Sequence, residues 1–447
     1  MARLGGMGLL VCVIACCASD IFVAARRLQM IYFVLVALAL GFVRAEKSAI
    51  LELTGDAPTV HFGGLGGSDV LTLVHNPAED KLTCSGKIQA SDVLIEGTST
   101  TMAQIISENA NIKRSMASFV GALAPMSAAA FSTISTNGSS GFYGAASVGS
   151  RVFFAPHWGN AIGILDTTTH TFSQILLDGS SFTPGAYLGT ASIGLRVFFT
   201  PYNADNIGVL NTTTGVFSTI STADSGITGN MKYANAIAVG TRIFFPPRKQ
   251  DNIGVLDTSN GTFATISTSG LTSSDWKYSD GAVIGKFIYF APMLEDNIGV
   301  VDTESNSFST ISIASAGLTG AKYSAVVAVG ARLFFAPMQA DNIGVLDTAT
   351  GLFSTILLPG SMHGHTSKYR GAVALGTRVF FAPGNQDNVG VLDTSTDTFA
   401  TLSTDNANVT GLHKYWGAVV IGAHIFFAPR NQDKVGWLDL APWLAAL

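Results

Sequence analysis

Cysteine is nearly missing from this chain: four copies serve 447 residues, and three of them, Cys12, Cys16 and Cys17, fall in an apolar stretch at the very start. Cys84 is then the only thiol downstream. That excludes a disulfide framework in the main body and leaves Cys84 either buried as a small apolar side chain or paired with its own copy in an oligomer. Charge is scarce too. Charged residues make up 12% of the sequence, with 25 Lys and Arg against 30 Asp and Glu for a formal net charge of −5. There is no basic footprint for nucleic acid, so that class of partner is dropped. Enzyme signatures are also missing: the sequence holds no G-x-S-x-G elbow, H-E-x-x-H pair, phosphate-binding loop or dinucleotide fingerprint. This counts against hydrolase and nucleotide chemistry and implies no cofactor, although a site gathered from scattered loop residues would leave no such trace.

What the chain has in quantity is Phe, with 28 copies, and Gly, with 48, a composition that favours many short strands over long helices. It also repeats itself. DNIGVLDT stands at Asp251–Thr258 and again at Asp341–Thr348, among the variants NAIGILDT, DNIGVLNT, DNIGVVDT, DNVGVLDT and DKVGWLDL. A landmark proline recurs at Pro156, Pro201, Pro247, Pro292, Pro337, Pro383 and Pro429, at spacings of 45, 46, 45, 45, 46 and 46. A period in the forties with turn signals every dozen residues predicts an all-β, seven-bladed β-propeller over residues 130–447, each repeat forming one blade of four antiparallel strands.

The sixth copy shows the four strands. Tyr369 to Leu375 is rich in small residues and suits the innermost position, where blades converge on the axis. Arg378 to Pro383 puts adjacent Phe residues on opposite faces, which requires cover on both sides. Val389 to Thr394 is the third strand and Thr398 to Leu402 the more polar outermost one. The last copy runs VGWLDLAPW and stops without an outer strand, whereas Ala130 to Ser135 (AFSTIS) precedes the first copy as an orphan outer strand. The expectation is that this N-terminal strand closes the last blade and removes two free sheet edges.

These copies resemble YVTN-type β-propeller repeats, which share an aromatic-rich strand, an Asn-rich turn and a Val-x-Val-Ile-Asp-Thr strand; FFTPYNADNIGVLNTTTGVFSTI at Phe198–Ile220 is the closest parallel within the chain. The resemblance covers about residues 130 to 440 and departs at the Tyr-Val-Thr-Asn core, here Phe-Phe-Ala-Pro. It implies a propeller, often in an exported or cell-surface setting, and no particular activity.

Before the propeller, apolar runs at Met7 to Ala25, broken by Asp20, and Leu28 to Val43 flank Arg26 and Arg27. Residues 1–45 therefore read as a signal peptide with cleavage after Ala45, or alternatively as a retained membrane anchor; any membrane contact is expected only there. Residues 46–98 alternate in short segments, at 59–62, 70–74, 81–83 and 92–95, and predict a small β stem. Within 99–125, Met102, Ile105, Asn109, Ile112, Met116, Phe119 and Leu123 step by heptad spacing, with Asn109 at an a position. That pattern predicts either an oligomerising coiled coil over 102–123 or one amphipathic helix packed against the propeller. Sequons at Asn137, Asn211, Asn260 and Asn408 fit a glycosylated exported protein.

Two readings of the polar repeat positions are open. Lys232, Lys277, Lys322, Lys368 and Lys414 open their blades, and each of the same blades carries an Asp in the loop between second and third strands: Asp251, Asp296, Asp341, Asp387 and Asp433. Either Lys and Asp pair at one rim, or the carboxylates ring the axis around a cation. Residues that break the pattern are the ligand-binding candidates: His157 and Trp158 in the first blade's loop, Trp276, His363, His365, His413 and Trp416. His363, His365 and His413 also have the residue type for zinc or copper. If the sequons at Asn137 and Asn408 carry glycans, the free surface would favour blades two to six. The leading expectation is a non-catalytic extracellular or cell-surface propeller for binding, adhesion or structural display, with a protein or glycan as ligand, and the alternative is a lactonase, lyase or quinoprotein type of propeller enzyme using the loop histidines.

Overall fold

In each second strand two aromatic side chains stand next to each other, and period-two alternation sends them to opposite faces of the sheet. Both faces are covered. Phe198 packs into a cluster with Tyr233 and Ile243 of the following repeat, while Phe199 packs with Phe153 and Ile162 of the preceding one. A sheet buried on both faces needs a neighbour on each side, and a ring supplies one to every member.

The computed structural model describes residues 130–177 and 183–442, together with the backbone of four short strands between residues 50 and 85. Those four, Ile50–Glu52, Thr59–Phe62, Leu71–Asn76 and Lys81–Ser85, pair in sequence order as an antiparallel sheet in a unit of their own. The expected export segment, the remainder of the stem, the Cys84 side chain and the heptad segment with Asn109 lie outside the described residues. Among the described residues no helix is long and apolar enough to cross a membrane.

From residue 130 onward the strands form seven four-stranded antiparallel sheets. The sixth blade comprises Tyr369–Leu375, Arg378–Pro383, Asn388–Asp393 and Thr398–Ser403. In the last blade the outermost strand is Ala130–Ser135, which pairs with Lys434–Asp439 from Lys434↔Ser135 to Asp439↔Ala130. The ring is closed by the N-terminal strand, as the two incomplete ends of the repeat region require.

The copy at Asp341–Thr348 explains the repeated phrase position by position. Asn342 accepts a hydrogen bond from the Tyr323 hydroxyl at 2.6 Å, which satisfies a buried phenol. Ile343 and Val345 face the sixth blade, while Leu346 faces the fourth. Gly344 makes room for aromatic rings, since a Cβ there would lie 2.8 Å from Tyr323 and 3.0 Å from Phe353. Asp347 accepts from the amides of Ala349 and Thr350, turning the chain into the outer strand, and Thr348 donates to the Ala331 carbonyl at 2.7 Å. Each blade repeats an aromatic trio around this glycine. The last blade completes its trio with Phe131, whose ring lies 6.1 Å from Tyr415 and 6.0 Å from Phe427.

The lysines and aspartates do pair, but across blade boundaries. Lys232 reaches back to Asp205 at 2.9 Å, Lys277 to Asp251 at 3.1 Å, and Lys322, Lys368 and Lys414 to Asp296, Asp341 and Asp387 at 2.8 Å. Each ammonium also donates to carbonyls of that preceding loop, as Lys368 does to Gln339 and Ala340. The reason is reach: the residue before the first-strand tyrosine lies beside the previous blade's loop, not its own. The carboxylates that carry this pairing are therefore neutralised at the boundaries and form no cation-holding ring. Two boundaries depart. Ala186 stands where the second blade would carry lysine, and Asn160 stands opposite in place of aspartate; Gly141 leaves Asp433 facing no lysine.

Candidate functional site at the axial mouth

Three registers of the repeat turn toward the axis, and they are the positions at which the copies disagree. After the landmark proline come His157, Tyr202, Arg248, Met293, Met338, Gly384 and Arg430. After the first-strand aromatic come Tyr143, Leu188, Ala234, Ser279, Ser324, Arg370 and Trp416, and one residue deeper lie Gly144, Gly189, Asn235, Asp280, Ala325, Gly371 and Gly417. The deep glycines are there because blades nearly touch: a Cβ on Gly371 would lie 2.6 Å from the Trp416 carbonyl oxygen. They leave a narrow axial cavity of about 80 Å³, lined also by Asn235, Ser279, Asp280, Ser324 and Arg370.

Above the cavity runs an arc of rings. Trp416 and Tyr143 lie 4.7 Å apart, Tyr143 and His157 4.0 Å, and His157 and Tyr202 5.3 Å. Trp158 meets His157 edge-on and donates its indole N–H to the Tyr143 hydroxyl at 2.9 Å. Three guanidinium groups cover these rings. Arg370 lies 4.5 Å over Trp416, Arg430 5.1 Å over both Trp416 and Tyr143, and Arg248 4.7 Å over Trp276 and 5.6 Å over Tyr202. Methionines finish the circle, with Met338 sulfur 3.2 Å from Arg370 Nη1 and Met293 packed against Trp276.

The electrostatics are one-sided. Arg248 and Arg370 are 5% and 6% exposed, and among the described residues no ion pair joins Arg248, Arg370 or Arg430 to a carboxylate. Nε of all three, and Nη1 of Arg430, are buried without a hydrogen-bond partner. Burial, then the nearby charges of Arg430 and Arg248, brings the Arg370 guanidinium down to about 9. Burial likewise lowers His157 to about 4 against the pull of its Nδ1 contact with the Tyr187 carbonyl, and Arg430 and Arg248 push the same way. His413 is lowered to about 4 by burial and by Arg430 and Arg370. Deeper in the cavity, burial raises Asp280 to about 6 although Asn235 and the Gly281 amide donate to it.

Of the residues singled out in the sequence, His157, Trp158, Trp276, His413 and Trp416 belong to or border this mouth. Trp158 is its exposed member, at 58%. His363 and His365 do not join them: His363 Nε2 lies 2.9 Å from its own loop's Leu358 carbonyl, and His365 Nδ1 lies 3.0 Å from Gln386. Among the described residues no group of three His, Cys, Asp or Glu is placed to hold a metal ion. The sequons Asn137, Asn211, Asn260 and Asn408 are exposed. Blades seven and one contribute Trp416, Arg430, Tyr143 and His157, and blades two to six contribute Tyr202, Arg248, Trp276, Met338 and Arg370. Sequence reading passed over Arg248, Arg370, Arg430, Tyr143, Tyr202 and Asp280. Their signal was present, since aligning the copies on proline and tyrosine isolates these variable columns.

No family model matches the chain, and no curated protein matches it. Solved structures do. The chain is similar to YCF48 bound to D1 peptide, at 9% identity over 69% of this chain and 96% of that one, with a TM-score of 0.53. It is similar to the hydrazine synthase of Kuenenia stuttgartiensis, at 14% identity over 67% and 96% with a TM-score of 0.51, and to a chain of a mitotic checkpoint complex, at 11% over 66% and 86% with a TM-score of 0.51. At these identities the likeness concerns the propeller fold alone.

Proposed function

We propose that this chain is a non-catalytic binding propeller of the cell exterior, of YVTN-like repeat lineage, that holds a protein or glycan ligand over the axial mouth. One observation carries the reading: the blades depart from their repeat most sharply at a single mouth, and there they place guanidinium and aromatic groups, which are side chains suited to holding a ligand. Two titratable groups at that mouth are held by neighbours, His157 by the Tyr187 carbonyl and Asp280 by Asn235 and an amide. The enzyme alternative through loop histidines draws nothing from His363 and His365, whose rings contact Leu358 and Gln386. YCF48 is a propeller described with a bound peptide, which is compatible with a protein ligand here.

The signal-like start supports export, the exposed sequons support glycosylation, and the heptads over 102–123 support homo-oligomerisation; each belongs to the same proposal. The test is a binding screen of the full-length chain against extracellular proteins and glycans, run beside turnover assays on lactones, sugars and alcohols with metal or quinone added. A ligand whose binding weakens on substitution of Trp158 is the expected result. Turnover with a stoichiometric metal or quinone would overturn it.

A further inference from the structure

Three cations gathered with no ion-pair partner are costly to bury, and Asp280, the carboxyl that shares the cavity lining with Arg370, is taken up by Asn235 and the Gly281 amide. Each guanidinium loses hydration, repels the other two and leaves donors unmet, while the face of an aromatic ring returns only part of the loss. Elsewhere among the described residues buried cations are matched: the five boundary lysines each meet a carboxylate, and Arg378 meets Asp393 at 3.4 Å. At the mouth that rule is broken by Arg248, Arg370 and Arg430 together, contributed by three different blades. Each of the three keeps at least one buried donor without a partner, and Arg370 lines the axial cavity. A chain of net charge −5 that concentrates unpaired positive charge at one concave point has the field of an anion receptor.

We propose that the Arg248–Arg370–Arg430 cluster is a carboxylate-binding site, and that its ligand is an acidic side chain of a partner polypeptide with apolar residues beside it. This deepens the binding function proposed above and rests on it. A planar guanidinium pairs with a carboxylate through two parallel N–H···O bonds, and among the described residues no carboxylate fills that role for any of these three. The apolar half of the recognition comes from Met231, half-buried in a cluster with Leu188, Tyr143 and Trp416. A flexible methionine adapts to apolar side chains of a peptide, whereas a sugar ring would call for open aromatic faces. Here the faces of Trp416 and Trp276 are already covered by guanidinium groups.

The experiment titrates the full-length chain with a capped peptide of alternating Leu and Glu and with its Leu–Gln counterpart, followed by tryptophan fluorescence and calorimetry. Inorganic sulfate and a sulfated oligosaccharide form the other two arms. The Glu peptide should bind saturably, raise the melting temperature and lose affinity with salt, and the Gln peptide should bind roughly tenfold more weakly or worse. Arg370→Met should abolish the difference between the two peptides. Because Arg370 is buried and its replacement puts folding at risk, Arg430→Gln, at a half-buried position, should reduce the difference in a chain whose melting remains cooperative. Equal binding of the two peptides, or binding of neither, overturns the proposal. So does binding of the sulfated oligosaccharide alone, or of sulfate alone as an adventitious ion only. A partner found in the wider screen whose affinity ignores Arg370 and Arg430 would sink this inference and leave the binding function standing.

Discussion

Asp280 and His157 have their proton affinities displaced in opposite directions by the same cause, burial near the axis. Between about pH 4 and 6 the folded chain holds a proton on Asp280 that the unfolded chain has released, so this group's contribution to stability declines as pH rises and is lost above about 6. His157 works the other way, since the unfolded chain binds the proton first and stability is lost as pH falls from 6.5 toward about 4. Each effect is limited to roughly 3 kcal/mol, and across the shared window they offset. Asp280→Asn should therefore gain on the parent chain as pH rises from 4 to 6, and His157→Phe should gain as pH falls through the same range. Denaturant midpoints at half-unit steps of pH check both slopes, and parallel curves for variant and parent would contradict the assignment. At the repeat glycine, Gly390→Ala would put a Cβ 2.8 Å from Tyr369 and 3.0 Å from Phe399, at an expected cost of about 1–3 kcal/mol by overpacking.

At the scale of strands and loops, the boundary lysines make a prediction that single residues do not. Lys368→Met removes the ion pair to Asp341 and the bonds to two carbonyls of the previous loop, which should cost roughly 1–3 kcal/mol. The second blade allows the reverse experiment, because Ala186 and Asn160 occupy the places of lysine and aspartate. Ala186→Lys alone buries an unmatched cation and should destabilise; Asn160→Asp added to it should recover much of the loss, a non-additivity that a double-mutant cycle measures directly. The strands themselves are legible in sequence because proline, paired Phe and the glycine phrase recur at fixed offsets. The partner of each lysine is not, because a repeat period says which residues are equivalent and nothing about which neighbouring copy they touch. The axial mouth was half legible for a related reason: His157, Trp158 and Trp416 stand out as rare residue types, whereas Arg248, Arg370 and Arg430 look like ordinary polar residues until their surroundings show that no acid lies beside them.

At the scale of the molecule, the blades stand or fall together. Ile134 of the closing strand packs with Phe154 and Val435, joining the last blade to the first. Ile134→Asp should therefore weaken the whole ring by more than about 3 kcal/mol, by burying a charge at a sealed boundary, and should do so in one cooperative transition. Calorimetry that resolved the loss of a single blade would contradict that unity. Ser135 and Lys434 are neighbours in space though about three hundred positions apart along the chain. Synthesis begins at the clasp's own end, so the clasp has nothing to fasten to until the final copy has left the ribosome. A polypeptide whose ring cannot lock before its last strand exists carries an unpaired strand edge for nearly the whole of its making.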